Sequence, residues 1–272
     1  MTERIGRIGF IGGGNMAQAL IGGLLAQGMA PAQIRVAEPV AHLREQLAAR
    51  GITAQTDNQQ VADQSDVLVL AVKPQVLPGV LAALERLRPD TLVISIAAGI
   101  SVAQIRAGLR GHDRVVRAMP NTPALVQTGA TGLYADAQVS EADRQRAAQV
   151  LGAAGLVLWV ADEALMHAVT AVSGSGPAYF FYWMEAMIEA GIAQGLSPEA
   201  AKALTLQTAL GAAQMAITSG EEPAVLRRQV TSPNGTTQAA IESMQAHGVA
   251  AHVIEALNAA AQRSEALARG QS

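Results

Sequence analysis

The chain has 272 residues, half of them apolar, with a net charge of −3 and a pI near 6.0. That length suffices for one large domain or two ordinary ones with real cores, and the charge offers no general attraction for nucleic acid. Cysteine is absent, which excludes disulfides, thiolate catalysis and Cys-ligated zinc and fits a reducing compartment.

Arg4 and Arg7 precede an apolar stretch in the manner of a signal peptide, but Asn15 and Gln18 interrupt it and glycines crowd its middle. A strand followed by a helix explains the pattern better. No run reaches the ~18 uninterrupted apolar residues of a membrane span. The chain is expected to be cytoplasmic, with no membrane partner.

Residues 7–11 read as a buried strand and 15–27 as a helix. A second strand covers 34–37, followed by a helical stretch around 43–49. Residues 67–72 and 92–97 are continuous apolar runs of strand length, and 115–119 a shorter one. Runs without alternation suit strands covered on both faces, as in a parallel sheet. Strand and helix alternating in this order predict a doubly wound α/β domain over 1–161. After about Val160 the strand-like runs stop. Residues 179–194 are apolar nearly all the way round, so this helix is expected to be buried. Ser197-Pro198-Glu199 opens the next helix, Ser as N-cap and Pro at the first helical position, and it should end at Gly220. Pro223 opens another, and 237–246 and 250–268 complete an all-helical domain over 162–272. The helix over 178–193 needs more cover than ~110 residues of helix readily supply, which predicts two chains interlocked through this domain.

Five motifs carry chemistry. Gly12-Gly13-Gly14-Asn15-Met16-Ala17 follows the first strand and reads G-x-G-x-x-A. Gly12 permits a tight turn, Gly14 lets the backbone approach a pyrophosphate, Ala17 lets the helix pack closely, and free N–H groups at the helix start bind phosphate. Glu38 closes the second strand, where an acid accepts the ribose hydroxyls of NAD and repels a 2′-phosphate. His42 and Arg44 just beyond would instead meet a phosphate, so the cofactor is NADPH or NADH, with Glu38 leaning toward NADH. Lys73, one of only two lysines, ends a strand in Ala71-Val72-Lys73-Pro74. It either faces the cofactor cleft at the carboxyl end of the sheet or is an exposed strand-end lysine.

Ala118-Met119-Pro120-Asn121-Thr122-Pro123 is an extended, stiff loop. It either presents Asn121 and Thr122 or serves as a rigid connector. Ser173-Gly174-Ser175-Gly176-Pro177-Ala178-Tyr179 resembles a nucleophile elbow only loosely, and His167 upstream reads as packing or capping. Close backbone approach to a nicotinamide is the better use of those glycines. Val230-Thr231-Ser232-Pro233-Asn234-Gly235-Thr236-Thr237 joins two helices. The unpartnered N–H groups at the second helix's start form a receptor for a carboxylate. The alternative is ordinary capping by Thr236 or Thr237.

In this order, the G-G-G-N-M-A, A-V-K-P, A-M-P-N-T-P, S-G-S-G-P-A-Y and T-S-P-N-G-T-T segments resemble the pyrroline-5-carboxylate reductase family, over 8–267. The resemblance implies a Rossmann domain and a helical dimerisation domain, with dimers often assembling into decamers. It also implies the last, NAD(P)H-dependent step of proline synthesis. By position, Gly12, Gly14, Asn15 and Met16 match the family's pyrophosphate loop, and Asn58 an asparagine near the adenosine ribose. Val72, Lys73, Ala97 and Gly99 match backbone contacts along the dinucleotide. Thr237 matches the catalytic threonine whose hydroxyl meets the substrate nitrogen. Ser232, Gly235 and Thr236 share its substrate-binding loop, and Glu163 matches an acid near the bound product. Two departures stand out: Asn234-Gly235 replaces a pair of glycines, which an Asn in left-handed backbone tolerates. Glu38 stands where NADP users of the family often carry a small hydroxylic or amide residue.

Two rival functions fit the chain less well. A 3-hydroxyacid dehydrogenase generally needs a lysine in the helical half, where only Lys202 is available, in an alanine-rich helix that reads as core-facing. A dinucleotide-sensing regulator would have no need of the T-S-P-N-G-T-T segment.

Overall fold

A computed structural model of the chain describes residues 5–270. The elements run β1 (Ile8–Ile11), α1 (Asn15–Ala26), β2 (Ile34–Ala37), α2 (Ala41–Ala48), β3 (Thr53–Gln55), α3 (Asn58–Asp63), β4 (Val67–Leu70), α4 (Leu77–Ala83), β5 (Leu92–Ser95), α5 (Val102–Gly108), β6 (Val115–Met119), β7 (Gly129–Tyr134), α6 (Glu141–Gly152) and β8 (Gly155–Trp159). Helices follow: α7 (Leu165–Val169), a π-helical turn over Thr170–Gly174, α8 (Gly176–Ala193), α9 (Pro198–Ser219), α10 (Pro223–Gln229), α11 (Thr236–Ala246) and α12 (Val249–Ala268).

The strands form one sheet in the order β3-β2-β1-β4-β5-β6-β7-β8. Every pairing is parallel except that of β6 with β7. The order 3-2-1-4-5-6 is that of the doubly wound dinucleotide-binding fold, with the reversal between β1 and β4. β1, β4 and β5 are buried at every position. Their side chains alternate between two apolar layers: Ile8, Phe10, Val67, Val69, Leu92 and Ile94 go to one, and Ile11, Leu68, Leu70 and Val93 to the other. That two-sided cover is why these strands are apolar without alternation.

The chain folds into two compact units. One comprises the described N-terminal residues through Ser175 together with the chain from Ala260 on; the other is Gly176–Ala259. The change from sheet to helices after β8 therefore does not coincide with the unit boundary. α7, the π-helical turn and the end of α12 belong with the sheet.

In the second unit the helix starts and stops follow their signals. Ser197 accepts a hydrogen bond from the Ala200 N–H at 3.2 Å, and Gly220 ends α9 in left-handed backbone with φ 68°. The expected burial of α8 is corrected for the single chain. Phe180, Phe181 and Tyr182 are 68, 58 and 75% exposed, and only Gly176 of this helix is buried. A helix apolar on all sides needs cover on all sides, and α9 supplies one. Lys202 is likewise exposed rather than core-facing; on α9 only Ala201 and Thr205 are buried.

Candidate active site

The first unit presents its loops at the carboxyl ends of the strands. After β1 the chain turns at Gly12, which has φ 97°. A Cβ there would lie 2.5 Å from the Ala71 carbonyl oxygen, so only glycine fits. The Gly12 N–H donates to the Ala37 carbonyl at 2.8 Å, which ties the turn to β2. Gly14 is the N-cap of α1, has no atom within 4 Å of a built Cβ, and contributes no side-chain cap. No acidic residue stands in the first turn of α1. Asn15 is exposed, Met16 is partly buried against the core, and Ala17 is buried. An uncapped helix start behind an open glycine turn fits a pyrophosphate.

Glu38 is buried at the end of β2. Its Oε2 accepts the Gly13 N–H at 2.7 Å and its Oε1 the Val40 N–H at 2.9 Å. Arg44 donates to the Glu38 and Pro39 carbonyls at 2.8 and 2.7 Å, and His42 is exposed. The carboxylate therefore borders the glycine turn directly, while the Arg44 guanidinium is engaged with backbone.

Asn58, partly buried, begins α3 behind the Asp57 N-cap. Val72 lies against the Gly12 turn. Lys73 is exposed, and its carbonyl accepts the Val76 and Leu77 N–H groups at the start of α4. Ala97 is buried just past β5, and Gly99 has φ 74°. A cavity of about 530 Å³ opens here, lined by Pro74, Gly99, Thr170, Ser264 and Leu267 among others. His167 holds Ser264 through Nδ1 at 2.9 Å, which makes it a packing residue of this unit.

The stiff loop after β6 turns Asn121 inward instead of presenting it. Its Nδ2 donates to the Ser173 carbonyl and Oγ at 3.1 and 3.3 Å, and its Oδ1 accepts the Ala130 N–H at 2.8 Å. Ser173 Oγ in turn donates to the Ala130 carbonyl at 3.0 Å. A Cβ on Gly174 would meet the Met119 Cε at 2.6 Å. The Met119–Asn121 and Ser173–Gly174 segments thus lock onto each other, so the loop acts as a rigid connector, and Ser173 has no histidine partner among its hydrogen bonds.

Glu163 also belongs to the first unit. Its Oε1 accepts Arg117 Nη1 at 2.9 Å and the Val102 N–H at 2.8 Å. Neither Arg117 nor Val102 falls in any of the five motifs, so sequence reasoning missed both. A signal for Arg117 existed: a cation in the middle of an apolar strand must find a partner.

In the second unit, Asn234 has φ 57°, the left-handed backbone that its departure from glycine required. The Gly235 N–H donates to the Ser232 carbonyl at 3.1 Å, and the Asn234 N–H to Gln238 Oε1 at 2.7 Å. The N-cap of α11 is Gly235, which has no side-chain cap to give. Ordinary capping therefore does not account for Thr236 and Thr237, and both are exposed, as is Ser232. The helix start offers N–H groups with a row of hydroxyls beside them.

A sequence model of the family described as pyrroline-5-carboxylate reductase dimerisation matches residues 163–267. A second, described as NADP oxidoreductase coenzyme F420-dependent, matches residues 7–99. A pyrroline-5-carboxylate reductase of Pseudomonas aeruginosa is 58% identical over 264 residues, which are 96% of this chain and 97% of that protein. Among solved structures, a pyrroline-5-carboxylate reductase from Coxiella burnetii superposes with a TM-score of 0.92 at 41% identity, covering 97% of this chain and 99% of that one. The Plasmodium falciparum pyrroline carboxylate reductase with NADP bound gives a TM-score of 0.84 at 28% identity, covering 97 and 98%.

Proposed function

The chain belongs to the pyrroline-5-carboxylate reductase family, and from that premise we infer how its residues divide the work of reducing 1-pyrroline-5-carboxylate to L-proline, the last step of proline biosynthesis. The cofactor is a reduced nicotinamide dinucleotide, which supplies a hydride from C4 of its ring when bound. The observation that carries the reading is the tight turn at Gly12 leading to the open, uncapped start of α1 at Gly14. In this reading Gly12, Gly14, Asn15 and Met16 hold the pyrophosphate, with Asn58 and Glu38 toward the adenosine ribose. The backbone at Val72, Lys73, Ala97 and Gly99 runs along the dinucleotide.

The start of α11 grips the imine's carboxylate through the N–H groups after Gly235, with Ser232 and Thr236 beside them. The Thr237 hydroxyl hydrogen-bonds the ring nitrogen and orients the C=N carbon toward the hydride. The nitrogen enters protonated, which makes that carbon electrophilic, so the residues need supply position rather than a strong base.

Glu38 favours NADH, because its carboxylate stands at the glycine turn where a 2′-phosphate would add like charge. The second unit's apolar helices support a homodimer, with a decamer as the higher assembly. The cytoplasm is the expected compartment; among the described residues no helix is long and apolar enough to cross a membrane. The test is loss of reduced-nicotinamide absorbance with 1-pyrroline-5-carboxylate, measured with both cofactors. Thr237→Ala is expected to lower kcat by ~10²-fold. Full turnover in that variant removes Thr237 from the mechanism.

A further inference from the structure

The loop over 96–101 carries Ala97 and Gly99 and joins β5 to α5. It is held at both ends. At its start, the Ala97 N–H donates to Ser95 Oγ at 3.4 Å. At its end, the Val102 N–H, the first of α5, donates to Glu163 Oε1 at 2.8 Å. Ser101 is the N-cap of that helix and accepts the Gln104 N–H, so its own hydroxyl leaves the Val102 N–H to Glu163.

Glu163 is in turn fixed from the sheet. Arg117 on β6 is in register with Ser95 on β5 and with Tyr134 on β7, so the three side chains share one face. The Arg117 side chain is 6% exposed and donates Nη1 to the same Glu163 oxygen at 2.9 Å. A buried guanidinium without its carboxylate is costly, so the pair is held together. One oxygen thus joins the central sheet, the start of α7 and the far end of the 96–101 loop.

We propose that Glu163, backed by Arg117, is a positioning residue that fixes the Ala97–Gly99 backbone against the dinucleotide, and that it does not touch the imine. This rests on the reading above that this backbone lines the cofactor. It replaces the product-side role that family resemblance implied for Glu163.

Three variants test it. Glu163→Ala removes both bonds. Glu163→Gln keeps an acceptor oxygen for the Val102 N–H. Val102→Pro removes the donor and trades one buried apolar side chain for another while leaving the Glu163–Arg117 pair in place: proline suits the first helical position, and Ser101 already has the extended backbone that must precede it, with φ −76° and ψ 159°. Nucleotide affinity is measured by titrating reduced cofactor without imine, and KM and kcat by turnover. Glu163→Ala and Val102→Pro are expected to weaken cofactor affinity and raise its KM about tenfold, the worth of one charge-assisted hydrogen bond. Glu163→Gln should restore most of that, with kcat and the imine KM within about threefold throughout. Unchanged cofactor affinity in Val102→Pro overturns the proposal, and so does an imine KM that rises as much as the cofactor KM in either Glu163 variant. If Glu163→Ala fails to fold, the other two variants decide. The titration needs no imine turnover, so an unchanged titration fails this proposal alone, whereas a wild-type chain that binds cofactor but turns over no imine fails the functional reading.

Discussion

Asp143 sits near the start of α6 with its side chain 2% exposed. It accepts Arg114 Nη2 at 2.7 Å, a close contact from Arg146, and Ser140 Oγ at 3.1 Å. Removing one partner of a buried ion pair costs roughly 3–5 kcal/mol. Here the arginine side chains keep 29 and 16% exposure, so water recovers part of that. Asp143→Asn should therefore cost about 2–3 kcal/mol, or a Tm lower by about 5–10 °C for a chain of this size. Burial raises the Asp143 pKa, but the hydrogen bonds from Arg114 and Arg146 outweigh it and hold the carboxyl below its ordinary 3.8. A depressed carboxyl contributes its full stability above the unfolded pKa. It loses that contribution as falling pH lets the unfolded chain take up a proton that the folded one refuses. The gap in Tm between wild type and Asp143→Asn, followed by circular dichroism, should thus be largest near neutrality and shrink below pH about 4. Arg114 precedes β6, at the opposite end of the sheet from the cofactor loops, so KM and kcat should stay unchanged. A Tm within about 2 °C of wild type at neutral pH would refute the reasoning.

Glu38→Gln removes the charge beside the glycine turn while keeping the side chain's length. The ratio of kcat/KM for NADPH over NADH should rise about tenfold, and an unchanged ratio would take Glu38 out of cofactor choice. The exposed rings of α8 fit the proposed homodimer, so sedimentation should find dimers or larger assemblies at assay concentrations. An active monomer persisting on dilution would contradict that expectation.

The central strands were legible because a strand covered on both faces is apolar nearly throughout: β4 is so at every position, and only Gly9 in β1 and Ser95 in β5 depart from it. The outer strands were not. β3 has three residues, none buried. β7 is rich in glycine and lacks a continuous run; β8 has one, but Leu156 and Leu158 are exposed, so it lacks the two-sided cover that such a run signals in the central strands. In the site, the turn at Gly12 and the left-handed Asn234 followed from local conformational need, which a short motif records. The inward carboxylate of Glu38 and the clamp of Asn121 depend on what other segments offer. Arg117 and Glu163 meet across 46 positions of chain, a distance over which no local pattern speaks. α8 misled for the same reason: its composition reports the cover it needs, not whether one chain provides it.

Because the chain from Ala260 on packs with the nucleotide-binding unit, that unit is discontinuous in sequence. On the ribosome its sheet emerges first, yet Ser264, the partner of His167, is made only after the whole second unit. The cavity wall at Gly99 therefore stays open until residues 260–268 are made, and a fragment ending at Ser175 would lack it altogether. Vectorial synthesis thus leaves this pocket to be finished after every helix of the second unit has been translated.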